Sequence, residues 1–284
     1  MPRARAGLAR DSSSPNGFGG TVPCMPAEKS IAASLVLVAC LIGGAASAQY
    51  GRYGGERLPP IGPPETEFHV GRLEYAAYGC AGSRGWCNPW WAIDYPEAEE
   101  HFLAAVQRMT RFDAAPDSRQ VTLDDDSLFD FPWIFLQQPG RGDWHPRGEQ
   151  LERLREYLLR GGFLVVDDFH GEREWATFQS AILDVLPGRP IIDIPENDPL
   201  MRIVFDLDER TQIPGERHLH YMRMEGPPHW RGIYDNDGRL MVAINHNIDM
   251  GDAWEHSDDP GYPAAMTATA YRFGVNYVVY ALTH

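Results

Sequence analysis

The sequence predicts an α/β protein: a three-layer, open, mostly parallel sheet with helices on both faces. Three observations predict it. From Phe68 onward the elements alternate as strand, helix, strand, strand, helix, strand, helix, strand, the order of an α/β sheet. The run FLVVDDF, residues 163–169, is apolar on both faces until it meets its carboxylates, as a strand covered from both sides requires. HPRGEQLERLREYLLRGG, residues 145–162, is an amphipathic helix that ends at a glycine pair.

Each element has its own signal. FHVGRLEYA, residues 68–76, alternates and reads as a strand. In YPEAEEHFLAAVQRMT, residues 95–110, Phe102, Val106 and Met109 share a helical face, and Asp94, Pro96 and Glu97 read as an acidic N-cap, an early proline and a glutamate three residues on. RQVTL and FPWIFLQQ, residues 119–123 and 131–138, are strands, the second apolar enough to be central. In the next helix Leu151, Leu154 and Leu158 form the buried stripe, with Glu149–Arg153 and Glu156–Arg160 as outward i,i+4 pairs. REWATFQSAILDVLPG, residues 173–188, is a helix with Trp175, Phe178 and Ile182 as its stripe, and RPIIDIP follows as a strand. Residues 198–239 read as irregular and polar. GRLMVAINHN is a late strand, and residues 264–284 form a last helix.

The N-terminus is a separate matter. Residues 1–48 read as a signal peptide region: a flank with Lys29, a short apolar run, and Ala46-Ser47-Ala48 as an A-x-A site. The run is shorter than the ~20 apolar residues of a membrane span, so the mature chain is expected to have no transmembrane helix. Met25 is the better start, because MPAEKS makes an ordinary n-region. Leu37 to Cys40 also matches a lipobox, which leaves anchoring at Cys40 as the alternative. Residues 49–66 are a Gly/Pro-rich linker, and residues 67–284 form one α/β domain. Export places the chain in the periplasm or outside the cell.

The formal net charge is −15, and removal of a leader with more basic than acidic residues makes the mature chain more acidic still. Such a surface repels nucleic acid and anionic membranes. Cys80 and Cys87 lie close together in an exported chain, which points to a disulfide closing a small loop. A thiol nucleophile is the alternative, and a zinc site lacks further soft ligands nearby.

Four phrases are jointly distinctive: WWAIDYPEAEEHFL, LREYLLRGGFLVVDDFHGEREW, INHNIDMGDAWE and AYRFGVNYVVYALTH. Together they resemble the DUF4159 family, a bacterial domain of unknown function, over about residues 67–284. The resemblance implies a flavodoxin-like fold related to the class I glutamine-amidotransferase-like group. It supplies no catalytic residues. The amidotransferase nucleophile, a cysteine on a turn after a strand, has no counterpart here, since VVDDFHG carries aspartates at that place.

The remaining candidates come from residue chemistry. Asp167, Asp168 and His170 stand at the end of a central strand, where open sheets bind ligands. Two carboxylates can hold a divalent ion or act as acid and base. Strand alternation sends Asp167 and Asp168 to opposite sides unless the strand has turned, so Asp168 and His170 are the favoured pair and Asp167 the structural one. His218 and His220 would share one side of a strand and could serve a metal with a carboxylate from elsewhere. Asn245, His246, Asn247, Asp249, Asp252 and His256 follow a strand and would suit a hard cation, or else satisfy their own turns. Trp86, Trp90 and Trp91 form a candidate aromatic surface that could stack on sugars, or else cover the sheet.

No nucleophile elbow, P-loop, dinucleotide fingerprint or zincin motif occurs in a fitting context. Two functions follow. The first is a non-catalytic cell-envelope module binding a protein or glycan through its strand-end cleft. The second is a metal-assisted hydrolase using strand-end carboxylates and histidines, with a divalent metal as the one cofactor the residues allow. Convergence of Asp168, His170 and an imidazole from His218, His220 or His246 would favour the hydrolase.

Overall fold

The computed structural model describes residues 66–77, 79–80 and 88–284. The leader, the linker up to residue 65, Trp86 and Cys87 lie outside the described residues. The strands are β1 (Val70–Leu73), β2 (Arg119–Val121), β3 (Trp133–Gln137), β4 (Phe163–Phe169), β5 (Ile192–Asp193), β6 (His229–Tyr234) and β7 (Leu240–His246). The helices are α1 (Glu97–Met109), α2 (Glu149–Leu159), α3 (Gly171–Val185), α4 (Glu216–His220), α5 (Met250–Glu255) and α6 (Ala264–Thr283).

One sheet runs in the order β2-β1-β3-β4-β7-β6-β5. Its first five strands are parallel, β6 is antiparallel to them, and β5, antiparallel to β6, lies at the edge. Numbered along the chain, the parallel strands follow the 2-1-3-4-5 order of the flavodoxin-like fold. Alternation divides the core. Phe163 and Val165 of β4 face α1, α5 and α6, while Leu164 and Val166 face α2 and α3. Trp254 of α5 stacks on Phe102 of α1 at 4.2 Å and seals the first face.

Several expectations are corrected. Residues 198–239 contain β6 as well as α4. The β6 signal is weak because Pro227 and Pro228 precede a short strand whose middle is Gly232. RPIIDIP shrinks to the two exposed residues of β5, paired only at the sheet edge. Met109, the last residue of α1, is exposed. Arg153 turns from Glu149 to the carbonyls of Leu123 and Asp125, which tie α2 to the chain after β2. The Glu156–Arg160 pair forms at 3.1 Å.

Candidate metal centre

The parallel strands deliver their C-terminal ends to one edge. There the backbone departs from β geometry at three neighbouring positions: Gln138 after β3, Asp168 in β4 and Asn247 after β7 all have positive φ, near 48°, 52° and 59°. Asp94, in the loop that follows β1, is left-handed as well, with φ 63°. Non-glycine residues take this conformation at a cost, and such positions gather at functional sites.

At β4 the turn resolves the problem of two consecutive carboxylates. The β4–β7 register shifts between Val166 and Phe169, so Asp168 is bulged out and Phe169 drops into the α2/α3 core. Asp167 stays in register with Gln137 on the α1/α5 face. Its Oδ2 accepts from the backbone N–H groups of Met250 (2.7 Å) and Gly251 (3.0 Å), and its Oδ1 from Asn245 Nδ2 (3.1 Å). Asp167 thus anchors the α5 N-terminus.

Asp168 turns into the crevice. Gln137 Nε2 (3.2 Å) and Gln138 Nε2 donate to its Oδ2, and His170 Nε2 donates to Oδ1 at 3.0 Å. Three of its four lone-pair directions are filled, and one on Oδ1 stays open. With Nε2–H committed to Asp168, the His170 Nδ1 lone pair is buried without a partner among the described residues. A carboxylate holding one imidazole nitrogen while the other waits is the usual support of a metal-ligating histidine.

Asp249 completes the group. It caps α5 by accepting from Asp252 N–H at 2.8 Å, and it comes from the loop that β7 delivers to the same edge. Asp168, His170 and Asp249 each bring a ligand atom within 4.8 Å of the others. Asp94, Asp249 and Asp252 form a second group at that range, and Asp252, Glu255 and His256 a third.

A family model for DUF4159, a domain of unknown function, matches residues 69–282. The chain belongs to the DUF4159 family. No curated protein matches it. No helix of the DUF4159 domain among the described residues is long and apolar enough to cross a membrane.

The domain sorts the expected site residues. Asp168, His170 and Asp249 are together, and the His218 ring lies 4.4 Å from that of His170. The two-residue spacing of His218 and His220 falls on α4 and not on a strand, so the side chains diverge. His220 is exposed, 3.9 Å from Glu216, and leaves the site. His246 also leaves it: β7 alternation turns its ring to the other face, against Phe169, Trp175 and His229. Burial there lowers its pKa to about 4. Trp91 is buried and forms no surface. Trp90 is half-buried, with the Arg141 guanidinium 5.3 Å over its ring.

Two members escape sequence reasoning. Asp94 reads as a helix cap, but its side chain accepts from Gln137 Nε2 at 2.6 Å and joins the carboxylates. Arg72 looks like an ordinary strand arginine, yet it is fully buried. It donates to Glu99 (2.5 Å) and to the carbonyls of Trp91 and Ile93 (both 3.2 Å), which holds the loop carrying Asp94. Its signal is an arginine between Gly71 and Leu73 in an otherwise apolar strand.

The electrostatics are one-sided. Burial, and then neighbouring carboxylates, pushes Asp94 and Asp249 well above the carboxylate range and raises Asp252 and Glu255. Burial and Asp168 raise Asp167 to about 7 against the pull of its amide donors. Burial, followed by His170, lowers His218.

A raised carboxyl pKa means the native state holds its proton more tightly than the unfolded chain. The stabilisation is complete below the unfolded pKa and lost as pH rises through the folded one. For Asp167 that window runs from the ordinary range near 4 up to about 7. Metal-stripped protein is therefore expected to have a lower urea midpoint at about pH 8 than at about pH 5. A midpoint that rises across this interval would contradict the assignment.

Proposed function

We propose that this DUF4159 domain is a divalent-metal-dependent hydrolase that works outside the cytoplasm. The observation that carries the reading is the meeting of Asp168, His170 and Asp249, with His170 Nδ1 buried and without a partner among the described residues. An imidazole held from behind by one carboxylate and joined by another, with positions left open, is an arrangement found at catalytic metal sites. A divalent ion there would bring a bound water toward neutral pKa and polarise a substrate oxygen. Asp168 accepts from His170 Nε2 and so orients the ring. Arg141, 3.1 Å from Glu174 and within the field of Asp168, supplies positive charge at the rim for an anionic group.

A second reading is the non-catalytic envelope module that binds a protein or glycan. It leans on the aromatic loop. Trp90 with Arg141 over its ring favours it, whereas Trp91 is buried. The convergent centre therefore carries more weight.

Calorimetry and elemental analysis of the metal-stripped chain test the proposal. The wild type should take up Mn²⁺, Zn²⁺ or Ca²⁺. His170→Gln, which loses a ligand, and Asp168→Asn, which also loses the support of His170, should each weaken uptake by at least ~10–100-fold. Cleavage within a panel of chromogenic phosphate, acyl and peptide substrates should depend on the same metal. Failure to bind any of the three ions would overturn the metal reading. Uptake without cleavage of any substrate would favour the binding module.

Export belongs to the same proposal, with the periplasm or the exterior as its destination and anchoring at Cys40 as its variant. It carries the Cys80–Cys87 bridge with it. Thiol titration of unreduced, exported protein should find no free thiol at these positions, and two titratable thiols would refute the bridge.

A further inference from the structure

Asp249 belongs to two ligand groups at once. On one side it meets Asp168 and His170, on the other Asp94 and Asp252. Gly215 lies beside two of the second group's members, Asp249 and Asp252. Its φ of −62° and ψ of 157° suit any residue, so glycine is not needed there for its backbone. It is needed for space. A Cβ at Gly215 would lie 2.5 Å from Asp249 Oδ2, 2.9 Å from Asp252 Oδ2 and 3.2 Å from His218 Nδ1. Two carboxylate oxygens from the α5 N-terminus and an imidazole nitrogen from α4 thus lie close to one point.

Asp252 Oδ2 accepts from Glu216 N–H at 2.6 Å, but the imidazole beside it is unpartnered among the described residues. Both nitrogens of His218 are sealed from solvent without a hydrogen-bond partner among the described residues. The fully buried Gln137 amide reaches Asp94 and Asp168 through Nε2, while its Oε1 has no partner among the described residues. Charge points the same way. One divalent ion at Asp168, His170 and Asp249 balances two carboxylates, and Asp94, Asp252 and Glu255 then still face one another. Arg72, which acts on Asp94, is already engaged by Glu99 and two carbonyls. Buried charge of one sign is compensated by protons or by cations.

We propose a second divalent-cation position beside Gly215, held by Asp94, Asp252 and His218 and joined to the first through Asp249 as a bridging carboxylate. It rests on the metal centre proposed above and deepens it to a metal pair. Paired ions about 3.5–4 Å apart hold the attacking and leaving oxygens of one displacement together.

The experiment is equilibrium dialysis of the metal-stripped full chain against Mn²⁺, with elemental analysis and paramagnetic resonance. The wild type is expected to hold two ions per chain and to give an exchange-coupled signal. Gly215→Ala should fall to one ion and an isolated-ion signal. Should the extra methyl disturb folding, Asp252→Asn, nearly the same in shape, is expected to give the same drop. Two ions in the wild type and one in either variant supports the pair. One ion in wild type and variants alike overturns the second position and keeps the first. No ion in the wild type overturns both. Two ions that persist in both variants, or that show no coupling, overturn the bridge and its place beside Gly215.

Discussion

The break in β4 at Asp168 is the constraint on which the rest of the site depends. A regular strand would send Asp168 into the α2/α3 core, where a carboxylate has no partner and burial is expensive. The left-handed turn at Asp168 and the slipped register with β7 give that core position to Phe169 instead. The carboxylate swings to the Gln137 side of the sheet, and two glutamine amides and an imidazole N–H receive it. Gln138 and Asn247 turn at nearly the same level, so three adjacent strands end together and open the crevice.

Charge balance then explains the surroundings. Asp167 is satisfied by the first amides of α5 and by Asn245, whose carbonyl in turn accepts from Tyr277 at 2.8 Å. That network fixes α5 against β4, and with it the positions of Asp249 and Asp252. On the other side the buried Arg72–Glu99 pair holds the loop that brings in Asp94. Breaking such a pair by removing one partner strands a buried charge, so the loop is firmly held. Among the described residues the carboxylates have no comparable set of fixed cationic partners, His256 beside Asp252 and Glu255 apart. A cation brought in from solution is the compensation that this geometry suits.

Much of the fold was legible because its central elements obey simple periods. The two-sided apolar run of β4 and the leucine stripe of α2 are signals that tertiary context reinforces, and the family phrases span the same elements. What escaped depends on context. β6 is short, flanked by prolines and half polar, so its membership in the sheet comes from pairing with β7 and not from its own pattern. The site was half legible. Asp168 and His170 could be named because strand ends are where open sheets work. Asp94 and Arg72 could not, since one resembles a cap and the other a surface arginine. His218 was found for the wrong reason: its spacing with His220 implied a strand, whereas a helical turn brings His218 alone beside His170.

The central claim is that a cation, held by His170 Nδ1 and the flanking carboxylates, completes this edge of the sheet. Anomalous diffraction from crystals grown with Mn²⁺ or Zn²⁺ tests it most directly. The account predicts an anomalous peak at bonding distance from His170 Nδ1 and Asp249, with His170 Nε2 still hydrogen-bonded to Asp168. Peaks confined to surface histidines such as His220, with none at His170, would contradict it.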